Sequence, residues 1–61
     1  MKHYRIDYNA VAGWIDTLVV TAKSKAEARR KARVSKIVSV SEITPEQVMT
    51  LGKYQSVKFI A

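Results

Sequence analysis

KHYRIDYNAVAGWIDTLVVTA, residues 2–22, contains two segments in which apolar and polar residues alternate. The apolar members of this alternation are Tyr4, Ile6, Tyr8, Trp14, Leu18 and Val20. A period of two is typical of a strand with one buried face. Residues 9–13 between the segments include Gly13, which can adopt a positive φ in a tight loop. The stretch therefore predicts a β-hairpin with strands over residues 2–9 and 14–22.

The same alternation predicts which side chains share a face of the hairpin. We expect Tyr8 to pair with Trp14, which places Ile6 opposite Asp16. In this register nearly all the large apolar side chains lie on one face, which we expect to be the core. The other face is predicted to carry His3, Arg5, Asp7, Ile15, Thr17, Val19 and Thr21.

The residues after the hairpin predict a helix over residues 24–34. Ser24 and Glu27 have the spacing of a capping box, in which each side chain accepts a hydrogen bond from the other residue's amide. At about 100° per residue, Ala28 and Ala32 stack on one side of this helix, whereas the arginines face roughly the opposite way. We therefore expect the alanines to pack on the sheet and the cations to face solvent.

The second half of the chain predicts three further elements. A β-branched segment over residues 36–43 is expected to be a strand, and Pro45–Leu51 a short helix. Thr44 and Gln47 supply the second capping box. Residues 54–60 are expected to form an edge strand. The prediction is a single α+β domain of 61 residues, with order β-β-α-β-α-β, a small mainly antiparallel sheet, and one basic helix packed on one face.

Composition argues against several classes of function. Cys is absent and no His and acid pattern replaces it, so we expect no disulfide and no metal site. The apolar runs are far shorter than the roughly 20 residues that span a bilayer, and no signal-peptide pattern opens the chain, so we expect a cytoplasmic protein. One His and five acidic residues in separate elements form no catalytic constellation. We therefore expect neither an enzyme nor a cofactor.

Positive charge is concentrated in residues 23–36, KSKAEARRKARVSK, which we call the basic segment. It holds seven of the eleven Lys and Arg residues and one acid, Glu27, in a chain of net charge +6. Such a concentration favours an acidic partner. The predicted partner-binding residues are Lys23, Lys25, Arg29, Arg30, Lys31, Arg33 and Lys36.

A purely solvated helix face would explain the pairing of Glu27 with Lys31 but not the other six cations of the basic segment. Two kinds of binding partner explain the segment better. The favoured interpretation is non-specific contact with nucleic-acid phosphates, since no pattern of a sequence-specific reader is present. The alternative is an acidic protein, with Ile15, Val19 and Ile37 on the outer sheet face as an apolar patch. A homodimer through that face, or through the last strand, would stabilise a thin core. A membrane role is disfavoured because the non-basic helix face is alanine.

Aromatic side chains bear on whether a nucleic-acid ligand is single-stranded, because unpaired bases stack on exposed rings. Tyr4, Tyr8 and Trp14 fall on the face predicted to be the core. Tyr54 and Trp14 lie near predicted loops, and are therefore the rings expected to remain partly exposed.

The first two-thirds of the chain also resembles a known group of small proteins. The residues that carry the resemblance are Tyr4 and Ile6, the run VVTAKS at residues 19–24, Glu27 with Ala28, and Ala32. This pattern is similar in outline to short phage and plasmid accessory proteins of the DpnD/PcfM-like kind, although the basic helix departs from that group. The resemblance implies a mobile-element origin and a sheet-plus-helix fold, and it implies no catalytic or binding residues. A phage or plasmid protein that inhibits or modulates an acidic host protein would fit the alternative.

Overall fold

The chain folds as an α+β protein whose elements follow the predicted order. The structure, a computed structural model, describes residues 1–10, 13–54 and 57–60. Its elements are β1 Lys2–Asn9, β2 Ile15–Ala22, α1 Lys25–Ala32, β3 Ile37–Ile43, α2 Pro45–Leu51 and β4 Lys58–Ile60. The strand predicted over residues 54–60 is shorter than expected, and its residues 55 and 56 lie outside the described residues.

The four strands form one sheet in the order β3-β1-β2-β4. β1 lies antiparallel to both β2 and β3, whereas β4 runs parallel to β2. The sheet is therefore mainly antiparallel, as predicted, with β3 and β4 at its edges. β4 is short and carries the exposed Lys58, and both features disfavour pairing of this edge with a strand from another chain.

The hairpin register differs from the prediction by two residues. Tyr8 pairs with Asp16 rather than with Trp14, and Ile6 pairs with Leu18. The predicted register was wrong because it set Ile6 against a carboxylate, whereas the observed one sets two buried apolar side chains against each other. A displacement of two residues leaves every side chain within β1 and β2 on its predicted face, since the side-chain period of a strand is two.

The hairpin loop follows the pair of Asn9 with Ile15 instead of the predicted pair of Tyr8 with Trp14, and this shift by one residue in each strand accounts for the displacement. β2 begins at Ile15, and the Ala10 amide donates to the Trp14 carbonyl oxygen at 2.7 Å to close the loop. Gly13 has a φ of 78°, the positive value for which a glycine was expected. The predicted loop positions 11 and 12 lie outside the described residues.

The core lies on one face of the sheet, which we call the α1 face. Its buried cluster consists of Tyr4, Ile6, Leu18, Val20, Ala22, Ala28 and Ala32. α1 contributes only the two alanines, as predicted, and these bury little apolar area. The stability of the domain therefore depends on a few large side chains of β1 and β2.

The opposite face of the sheet carries a buried residue and a shallow cavity next to α2. Val19 lies on this face and is only 2% exposed. A shallow cavity on the same face is lined by Arg5, Ile43, Gln47, Thr50 and Leu51, which joins α2 to β1 and β3. α2 therefore borders this face next to Arg5 of β1 and Ile43 of β3, a position that the sequence patterns did not predict.

The apolar patch predicted on the outer face is not present as predicted. Val19 is buried, and Ile37 packs against the core cluster instead of facing outward. Ile15 remains 55% exposed. One of the three residues proposed for that patch is therefore an exposed apolar side chain.

Capping interactions begin both helices where the sequence predicted them. The Ser24 hydroxyl accepts a hydrogen bond from the Glu27 amide at 3.2 Å, but the Glu27 carboxylate accepts from the Lys23 amide instead of from Ser24. The reciprocal half of the first box is thus displaced by one residue. In the second box both bonds join Thr44 and Gln47, at 2.9 and 3.2 Å, as predicted.

Asp7 links the three strands β2, β1 and β3 through its carboxylate. Its Oδ1 accepts from the Thr17 hydroxyl at 2.6 Å and from Arg5 Nε at 3.2 Å, and its Oδ2 accepts from the Ser39 hydroxyl at 3.1 Å. Burial alone would raise the pKa of Asp7. The hydrogen bonds from Thr17, Arg5 and Ser39, together with the Arg5 charge, outweigh burial and lower the pKa below its ordinary value.

The lowered pKa of Asp7 makes part of the free energy of unfolding depend on pH. Because the pKa of Asp7 is lower in the folded state, its ionised form stabilises the fold above the unfolded pKa of about 3.9, and this contribution is lost as pH falls through the folded pKa. We expect Asp7→Asn to cost about 1 kcal/mol at neutral pH and progressively less below about pH 4. Urea denaturation of both proteins across this range measures the difference, and an equal cost at neutral and acidic pH would contradict the linkage.

Candidate functional site

α1 presents the arginines of the basic segment to solvent. Ala28 and Ala32 face the sheet, and with about 100° per residue Arg30 then points almost directly away from it. Arg29 and Lys31 project from opposite flanks of the helix. Arg29 and Arg30 are both exposed. The structure therefore shows the expected arrangement, in which the alanines face the sheet and the arginines face solvent.

Lys31 differs from the other cations because it is directed back at the sheet. Its Nζ donates to the Thr21 carbonyl oxygen at 2.9 Å and lies 3.7 Å from the Glu27 carboxylate. The side chain is 31% exposed. A phosphate would compete with both of these partners, so we expect Lys31 to contribute less to phosphate binding than the arginines.

The basic segment extends beyond α1 at both ends. Lys23 precedes α1, and Lys25 is its first residue; both are exposed. At the other end Arg33 stops the helix in a left-handed conformation with a φ of 54°, and Lys36 has a φ of 56°. The helix therefore ends at Ala32, slightly before the predicted end.

The turn at Arg33 redirects the chain towards β3. Val34 is half-buried against the core instead of pointing into solvent, where a continuing helix would have placed it. Arg33 and Lys36 stay exposed on either side of it. Eight helical residues span about 12 Å, which matches the axial length of three to four phosphates on one strand of a duplex.

The charge of the chain is localised to this surface. Seven cations less Glu27 give the basic segment a charge of +6, while the remaining four cations are balanced by the remaining four acids. Among the described residues, ion pairs join Lys2 to Glu42, Arg5 to Asp7 and Lys31 to Glu27. The described ranges thus contain no acidic partner for the other six cations of the basic segment.

Aromatic side chains are divided between the core and the surface. Tyr4 is buried and Tyr8 is half-buried, as expected for the α1 face. Trp14 was predicted on that same face, but it precedes β2 and is 73% exposed. Tyr54 is 58% exposed, in line with its expected position near a loop. The position of Trp14 directly after Gly13 is the sequence signal that favoured a loop over the core.

Other chemistry-bearing residues are dispersed over the sheet. His3 Nδ1 lies 3.2 Å from the Thr21 hydroxyl oxygen. Asp7 and Asp16 lie on opposite faces, as predicted, since their neighbours in β2 and β1 are Thr17 and Tyr8. In the described part of the chain, no group of three or more His, Cys, Asp or Glu residues could hold a metal ion. Nor do the described residues include a helix long and apolar enough to cross a membrane.

Comparison with protein-family models, with curated proteins and with solved structures finds no match to this chain.

Proposed function

We propose that this chain is a cytoplasmic, non-catalytic binding module that contacts nucleic-acid phosphates through its basic segment. The observation that supports the proposal is the charge distribution. Six cations have no acidic partner in the described residues, and the rest of the chain has no net charge. A solvated helix face would not require the whole net charge of a protein to lie within 14 residues.

The contacting residues are the exposed cations Lys23, Lys25, Arg29, Arg30, Arg33 and Lys36. Arg29 and Arg30 lie on the helix surface, and Arg33 lies just beyond its end. Guanidinium groups form two parallel hydrogen bonds with phosphate oxygens, so these three arginines supply the strongest contacts. Contacts of this kind carry no base information, which makes the binding non-specific.

The salt dependence of binding tests this proposal. Each phosphate contact releases counterions, so log affinity for a duplex should fall against log salt with a slope of about −0.9 per contact. Three contacts reduce affinity about 40-fold between about 50 and 200 mM salt, and six contacts reduce it about 2,000-fold. Fluorescence anisotropy of a labelled oligonucleotide, titrated with the native protein at several salt concentrations, gives the slope. Absence of binding at the lowest salt would refute the proposal.

An acidic host protein is the second candidate partner. The same unpaired cations would recognise carboxylates, and Ile15 and Val38 supply exposed apolar area at 55% and 56%. In this alternative the chain is a small phage- or plasmid-type protein that modulates or inhibits its host target, as a monomer or a homodimer. A pull-down from host lysate with and without nuclease separates the two candidates, because nuclease treatment removes only partners held through nucleic acid.

A further inference from the structure

Trp14 and Lys36, a cation of the basic segment, lie at the same end of the sheet. α1 follows Ala22, which pairs with Lys2 at the opposite end, and β3 begins with Ile37 paired to Tyr8. The connection between them therefore returns the chain to the end where β1 meets β2. We call this the hairpin end.

Backbone hydrogen bonds fix how close these residues are. The Asn9 amide donates to the Lys36 carbonyl oxygen at 3.1 Å, and the next amide, that of Ala10, donates to the Trp14 carbonyl oxygen at 2.7 Å. Lys36 and Trp14 thus flank the end of β1 on its two sides. Two strand spacings of about 4.8 Å put their backbones about 10 Å apart, a distance that the long side chain of Lys36 can span.

The exposure of Trp14 is not explained by folding. Trp14 is 73% exposed, although a chain with a thin core gains from burying its largest apolar side chain. An aromatic face next to backbone-binding cations is the combination that single-stranded nucleic-acid sites use, since a base stacks on the ring while cations hold the phosphates. A duplex offers the cations its phosphates, but its bases are already stacked and paired.

We propose that Trp14, with Lys36 beside it, is a base-stacking site that makes single-stranded nucleic acid the preferred ligand of this chain. The inference rests on the proposed function, because it requires that the basic segment bind phosphates. Asp16, opposite Tyr8 near this end, lowers the positive potential there. The arginines of α1 therefore supply the attraction, and Trp14 supplies the preference for unpaired bases.

The fluorescence of Trp14 reports on this site alone, because it is the one tryptophan of the chain. The native protein is titrated with an oligothymidylate of about 12 nucleotides while tryptophan emission is recorded. Anisotropy of the labelled strand, alone and as a duplex with its complement, is recorded in parallel. We expect quenching to follow the anisotropy change for the single strand, and little quenching with the duplex.

Two variants separate stacking from folding and from charge. Loss of one base stack corresponds to a roughly 5- to 140-fold weaker affinity, so Trp14→Ala should lose that factor for the single strand and little for the duplex. Trp14→Phe keeps an aromatic ring and should retain most of the affinity. Circular dichroism of both variants verifies the fold.

The outcomes distinguish this inference from the proposed function. If the single strand binds without changing Trp14 emission, or if Trp14→Ala weakens single-strand and duplex binding equally, the stacking site is refuted while phosphate binding stands. If neither ligand binds at low salt, both proposals fall. Selective loss of single-strand binding in Trp14→Ala, restored in Trp14→Phe, establishes the site.

Discussion

Replacing Leu18 with Ala is expected to lower the free energy of unfolding by about 2 to 5 kcal/mol, enough to unfold much of a domain this small. Leu18 is 3% exposed and pairs with Ile6, which is fully buried, in the middle of the core cluster. α1 contributes only alanine side chains there, so no neighbouring long side chain of the helix can fill the cavity. Urea denaturation followed by circular dichroism measures the loss.

A substitution in the same strand provides the control. Ile15 is also aliphatic but is 55% exposed, so Ile15→Ala should change the free energy of unfolding by about 0.5 kcal/mol at most. If Leu18→Ala is unfolded without denaturant, the milder Leu18→Val gives a measurable transition. Equal midpoints for Leu18→Ala and Ile15→Ala would show that Leu18 does not lie in the core.

Alternation in residues 2–22 predicted the faces of the hairpin but not its register. A two-residue displacement moves Tyr8 from Trp14 to Asp16 without moving any side chain to the other face, so the pattern cannot detect it. The deciding factor is the pairing of Ile6 with Leu18. Apolar side chains placed opposite each other in the core are more stable than an apolar side chain placed opposite a carboxylate.

The burial of Val19 had a sequence signal that alternation obscured. Leu18, Val19 and Val20 form an uninterrupted apolar run, which is typical of a strand covered on both faces. All three are buried, with Leu18 and Val20 in the core cluster under α1 and Val19 on the opposite face. The position of α2 depends on contacts between distant parts of the chain, which local patterns do not encode.

The basic surface was largely predictable because helical periodicity determines which side chains face the sheet. The exposure of Arg29 and Arg30 follows from the alanines at positions 28 and 32 alone. The environment of Lys31 could not be predicted from this periodicity, since Lys31 donates to the carbonyl oxygen of Thr21, which lies ten residues away in β2. The left-handed conformation of Arg33 was equally unpredictable, because a non-glycine residue gives no signal for it.

Removing the three arginines is expected to weaken nucleic-acid binding by as much as about 1,000-fold at about 50 mM salt and to reduce the salt slope by about 2 to 3. The variant combines Arg29→Ala, Arg30→Ala and Arg33→Gly. Alanine is the strongest helix former, and glycine is favoured where the backbone is left-handed, so the backbone accepts each change. Loss of affinity can then be assigned to the missing phosphate contacts.

A second triple variant removes the same charge from elsewhere in the molecule. Lys2, Lys53 and Lys58 are exposed cations outside the basic segment, and replacing all three with Ala also lowers the net charge of +6 by three. If phosphates bind to the basic segment, this control keeps most of its salt slope, because net charge acts weakly beyond a Debye length of about 10 Å. Equal losses in the two variants would show that binding depends on overall charge rather than on α1. A slope that neither variant changes would exclude the arginines as phosphate contacts. Absence of binding by the native protein at the lowest salt would leave the acidic protein as the partner to test.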